Sequence, residues 1–161
     1  MLELLERLEG TGLASIARES LYGFQALVAI HILGLIFSVG MLLWVDLRML
    51  GLAMSGERLS VVYRSLSKWF LAGFGLMFVS GAALFAGFAT SAYENGYFRL
   101  KIALILLAGI NAIVFHFVVK RLSADADAGD PSGFIRLAGL LSLIFWGVVI
   151  LCGRMLSYTL F

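Results

Sequence analysis

Apolar residues run along this chain in four long blocks, broken by short polar stretches. The blocks are Leu21 to Val45, Phe70 to Thr90, Leu100 to Val119 and Leu137 to Ser157. Each reaches the roughly 20 residues that a helix needs to cross a hydrocarbon core. The pattern predicts an all-α fold: a bundle of four transmembrane helices in a single integral membrane domain spanning residues 1–161. Ahead of the first block, MLELLERLEGTGLASIARES reads as a short interfacial helix over residues 2–18. This segment opens with Glu3, Glu6 and Glu9, not with the basic region of a cleavable signal, and reads as part of the mature protein.

The few polar residues inside the blocks fall on one face of each helix at about 100° per residue. On the first helix they are His31, Gly34, Ser38 and Asp46; on the second, Gly73, Met77, Ser80 and Gly87. The third aligns Lys101, Ala108, Ala112 and His116, and the fourth Gly139, Ser142, Trp146 and Gly153. Small residues let membrane helices approach closely, so packing accounts for the glycines, serines and alanines. Ionisable residues cost more in lipid and mark function more often.

Composition agrees with the pattern. The chain is 61% hydrophobic and 14% charged, with a mean hydropathy of +1.00, far from a soluble domain. Its net charge of +2 and the absence of a basic, aromatic-interleaved face exclude nucleic acid as a partner class. Cys152 is the only cysteine, which rules out an internal disulfide and a cysteine metal cage and leaves packing as its role. The loop SADADAGDPSG at 123–133 lacks the glycine and terminal glutamate of a calcium loop and reads as a solvated turn. Arg48, Arg58, Arg64, Lys68, Lys120, Arg121 and Arg136 fall in the segments joining the first to the second and the third to the fourth span. Arg7, Arg18, Arg99, Lys101 and Arg154, diluted by glutamates, fall on the other side. The positive-inside rule then puts both termini on the periplasmic side of a bacterial inner membrane. Trp44 and Trp69 fit the cytoplasmic interface, and Tyr93, Tyr97 and Phe98 fit the outer aromatic belt or a docking surface for a periplasmic redox partner.

Depth sorts the ionisable residues. His31 is expected about ten residues into its span, ~15 Å from the outer end, and His116 lies about four residues before Lys120. The two imidazoles therefore cannot grip one iron. His116 shares a level with Asp46 and Arg48, which predicts a His116–Asp46 pair closing the cytoplasmic end. His31 has Asn111 at its expected level, Gly34 one turn along to admit a flat ring, and Arg18, Lys101 and Arg154 above it. Tyr22 and Tyr158 each sit one turn from an arginine. An imidazole at mid-membrane beneath outer cations suits a b-type haem, with His31 on the iron and the cations on the propionates; it suits a quinone head group as well. Met77 faces the right way for a sixth ligand but sits too deep.

The stretches ARESLYGFQALVAIHILGLIFSVGMLLWVDLRMLGL, FRLKIALILLAGINAIVFH and GRMLSY resemble an uncharacterised family of bacterial four-helix membrane proteins. Its pattern runs H-x-x-G, D-L-R-x-L-G, N-A-x-x-x-H and G-R over nearly the whole chain. A more distant similarity extends to the copper-resistance D membrane domain and to the haem-dependent protoporphyrinogen oxidases, which place a histidine in an early helix and a lysine at the start of a later one. That resemblance implies His31 as haem ligand and Lys101 as its paired lysine. Three readings follow: a haem b protein passing electrons between the quinone pool and a partner, a cofactor-free membrane subunit or anchor of a larger complex, and a proton or metal transporter. No nucleophile with its base, and no metal cage, points to an enzyme of its own.

Overall fold

The computed structural model describes residues 2–20, 22–122, 127 and 129–160. Among these the chain is helical without strands: α1 (Leu2–Glu9), α2 (Gly12–Glu19), α3 (Gly23–Leu35), a π-helical turn (Ile36–Gly40), α4 (Met41–Leu50), α5 (Leu59–Gly87), α6 (Ala89–Glu94), α7 (Gly96–Val119) and α8 (Gly133–Leu160). Four stretches are long and apolar enough to cross a membrane: Gly23–Leu50, Leu59–Gly87, Gly96–Val119 and Gly133–Thr159. The expected four-span bundle is the observed one. Its lipid-facing surface carries side chains such as Phe78, Val79, Leu106 and Leu151.

The spans differ from expectation at their ends. The second begins at Leu59, not at Phe70, because the segment carrying Arg64 and Lys68 stays helical beyond the apolar block. The third begins at Gly96, where Asn95 Oδ1 accepts a hydrogen bond from the Tyr97 amide and caps the helix. The first runs on to Leu50 and ends at Gly51, whose φ of +75° forms the left-handed cap that glycine adopts without strain. The interfacial helix expected over 2–18 is two helices, parted at Gly10 and Thr11, and they pack on α5, α3 and α6. Leu5, Ala14 and Ala17 are buried in that packing, and Glu9 accepts from the Thr90 amide at 2.7 Å. Leu21, the expected first residue of the first span, and residues 123–126 and 128 of the polar loop lie outside the described residues.

The first span is the hub. Its α3 half packs on α5, its α4 half packs on both α5 and α8, and α8 packs along α7. Contact between α3 and α5 is at backbone distance. A Cβ added at Gly34 would lie 2.9 Å from the Met77 nitrogen and 3.1 Å from the Gly73 carbonyl, and one at Gly73 would collide with the Phe37–Ser38 peptide inside the π-turn. Gly139 does the same for α8, where a Cβ would meet Met49 Cβ at 2.9 Å and the Asp46 carbonyl at 3.1 Å. Close approach of this kind is how helices gain contact in lipid, where burying apolar surface gives no drive.

Candidate functional site

Two polar regions occupy the bundle interior, one toward the end that carries the termini and one toward the loop end. In the first, His31 Nδ1 lies 2.9 Å from Ser80 Oγ. Ser80 Oγ donates its own proton to the Leu76 carbonyl at 2.7 Å, so it accepts from the imidazole, and His31 carries its hydrogen on Nδ1. The ring edge rests on Gly81, where a Cβ would come within 3.1 Å of Cε1. Nε2 then holds the lone pair, the tautomer of a histidine prepared to bind a metal. The Lys101 ammonium lies in electrostatic range of this imidazole and about a van der Waals contact from Gly153, at 3.5 Å from the Cβ position there. Among the described residues, Lys101 has no hydrogen-bond or ion-pair partner.

The other residues expected around His31 lie elsewhere or are engaged. Gly34 does not open a slot for a ring: Met77 and the Gly73 backbone fill the space, and Met77 Sδ accepts from Ser38 Oγ at 2.8 Å. Asn111 is not at the His31 level. It follows the start of α7 by fifteen residues, about 22 Å, against about 12 Å for His31 from the start of α3, and its Nδ2 donates to the Ala138 carbonyl at 3.0 Å. Arg18, on α2, which packs on α3 and α5, stands 3.8 Å from Glu9 of α1. Arg154 donates to Tyr158 Oη at 2.8 Å and lies over its ring, 4.5 Å from the centroid. His31 Nε2 and the Lys101 ammonium are thus left for a ligand among the described residues, whereas Gly34 and Asn111 are taken up by protein contacts. Among the described residues no cluster of three or more His, Cys, Asp or Glu side chains forms a metal cage.

The loop-end region is built around a cleft of about 580 Å³ between α5 and α7, floored by α4 and α8. Phe70, Phe74, Phe115 and Trp146 give it apolar walls, and the exposed Leu71, Ile113 and Phe117 stand at its rim. Asp46, Asn111, His116, Tyr63 and Ser142 supply its polar groups. The expected His116–Asp46 pair is replaced by two others. Ser142 Oγ donates to Asp46 Oδ2 at 2.7 Å, and His116 Nδ1 bonds Tyr63 Oη at 3.0 Å. Tyr63 comes from the part of α5 that precedes the expected span, which is why depth alone did not suggest it.

Arg48 is only 1% exposed and faces away from Asp46, as residues two apart on a helix must. Its Nε donates to the Glu57 carbonyl at 2.8 Å and its Nη2 to the Gly129 carbonyl at 3.4 Å, clasping both connecting segments under the bundle. Asp127, expected in a solvated loop, is buried and caps α5, accepting from the Ser60 amide at 2.7 Å and the Ser60 hydroxyl at 2.5 Å. Its signal in the sequence is the bare start of α5, whose first turn has no acidic residue of its own. At the other end, Phe98 stacks on Phe85 at 5.1 Å, while Tyr93 and Tyr97 are exposed.

No curated protein and no solved structure matches the chain. A family model does, over residues 12–159, which take in both polar regions and all four spans. The chain belongs to that family, the family of unknown function DUF6644.

Proposed function

We propose that the protein is a b-type haem protein of the bacterial inner membrane that carries electrons between the quinone pool and a partner, with both termini periplasmic. The observation that carries this reading is the Leu76–Ser80–His31 relay. It puts the hydrogen on Nδ1 and leaves Nε2, which would hold the haem iron, in the hydrogen-bonding arrangement that orients metal-bound histidines. Lys101 supplies a cation for a propionate, unpaired among the described residues, and the pair resembles in kind and order the histidine and lysine of the haem-dependent protoporphyrinogen oxidases. A haem bound there supplies one-electron chemistry, tuned by its ligands and by the surrounding dielectric. The excess of Lys and Arg at the loop end supports a cytoplasmic placement of that end.

The test is the dithionite-reduced minus oxidised spectrum of protein produced with haem supply. A b-type spectrum is expected in the wild type and in His116→Ala, and is expected to vanish in His31→Ala. A flat spectrum from folded wild-type protein overturns the reading. It would leave the second one, a cofactor-free membrane subunit, which is favoured by the protein partners that Asn111, Arg18 and Arg154 already have. That second reading predicts copurification with a larger assembly.

A further inference from the structure

The loop-end cleft is not used by the haem reading, and its chemistry is specific. The Tyr63–His116 bond has two possible arrangements. If Tyr63 donates to Nδ1, His116 keeps an unspent Nε2–H; if Nδ1–H donates, Tyr63 keeps an unspent O–H. Either way the pair retains one hydrogen-bond donor. Asp46 spends Oδ2 on Ser142, and Oδ1 has no partner among the described residues. The residue is 3% exposed and lines the cleft, so the cleft is where that oxygen meets any ligand. Between these groups lie aromatic walls, and the rim opens among side chains that face lipid.

A second pocket of about 410 Å³ adjoins on the other side of the same pair, lined by Ser60, Arg64, Ser67, Lys120 and Asp127 in addition to Tyr63 and His116. The Tyr63–His116 pair is thus a wall between an apolar cleft entered from the membrane and a polar pocket at the loop end. A phospholipid tail would fill the first without needing a donor or an acceptor. A ligand that uses the walls, the rim and the Tyr63–His116 donor has a flat ring for the aromatic walls, an oxygen acceptor for that donor, and an apolar tail for the rim.

We infer that the cleft between α5 and α7 is a binding site for a lipid-soluble quinone-class molecule, its ring oxygen held by the Tyr63–His116 pair and its tail leaving between Leu71 and Ile113. This rests on the proposed electron-transfer role only for its biological meaning, since the binding site stands on other residues than His31. The size is in the range of small-molecule sites.

The test uses full-length protein in nanodiscs, in a Trp44→Phe/Trp69→Phe background that leaves Trp146 as the reporter in the cleft. Decylubiquinone is titrated, with decanol as the control. Saturable quenching is expected, weakened about tenfold by the double variant Tyr63→Phe/His116→Leu, which removes the pair's one free donor whichever way the bond between them runs. Ala112→Phe, which fills the cleft, is expected to abolish it. His31→Ala is expected to leave it unchanged, so loss of haem and loss of quinone binding are read separately. Quenching that is equal in wild type and Ala112→Phe is collisional and overturns the proposal, as does quenching that the double variant Tyr63→Phe/His116→Leu leaves unchanged. Loss with His31→Ala alone would move the site to the terminal end and overturn it too.

Discussion

The seam between α3 and α5 and the cleft between α5 and α7 sit on the same helix and are built by opposite means. At the seam, Gly34 and Gly73 bring two backbones together until no methyl group fits, and the π-turn folds around Gly73. At the cleft, large rings hold α5 away from α7, and Gly109 on its wall has no atom within 4 Å of where a Cβ would be. The loop end keeps its shape through buried polar ties instead: Arg48 to two carbonyls, Asp46 to Ser142, and Asp127 to Ser60. One α5 face is thus rigid by contact, and the other is held open by hydrogen bonds at its foot. A bundle that has to hold a ligand in lipid needs both, since helices packed as tightly as the seam leave no space.

The sharpest way to break the contrast is to add one methyl group to the seam. In Gly73→Ala the new Cβ meets backbone on α3, not the far end of a movable side chain, so the helices must part. Overpacking of this kind costs about 1–3 kcal/mol, and the top of that range is expected here. Resistance to unfolding in SDS, compared with the wild type, measures it. A variant as stable as the wild type would show that the two helices are not in backbone contact.

Cutting a polar tie comes next. Arg48→Met keeps most of the side-chain volume but removes the bonds to Glu57 and Gly129. Hydrogen bonds from charged groups contribute about 1.5–3 kcal/mol, and a loss of about 2 kcal/mol is expected. It should come with faster proteolysis of the two connecting segments, because Arg48 joins both. Unaltered cleavage in a destabilised variant would separate Arg48 from the loops it is drawn to hold.

How far the sequence reached follows the same division. The four spans and their inward faces were legible because hydropathy reports lipid contact and the 100° repeat reports rotation: Ser38, Ser80 and Ser142, all placed on those stripes, are buried. Partners were less legible, because they depend on where a helix starts. With the second span starting at Phe70, Tyr63 is outside the bundle and His116 is left to Asp46. With the third starting at Leu100 instead of Gly96, Asn111 rises to the level of His31. The glycine at 34 shows a further limit. A small residue permits close approach of something, and only the fold tells whether that is a flat cofactor or another helix.

The smallest effect has the opposite sign and is the most discriminating. Gly109 and Gly73 are both mid-helix glycines within a membrane span. In Gly109→Ala, the added methyl group enters the open cleft and meets nothing, while the chain loses the conformational freedom of glycine. In water, alanine is favoured over glycine in a helix interior by about 1 kcal/mol, and a gain of that size or less is expected in the same SDS unfolding measurement. Paired with Gly73→Ala, it turns the comparison into a single number, the difference in response of two glycines to the same methyl group. If Gly109→Ala were as damaging as Gly73→Ala, α5 and α7 would be in contact in the membrane and the cleft closed. If it is neutral or stabilising, the space is there for a ligand to use.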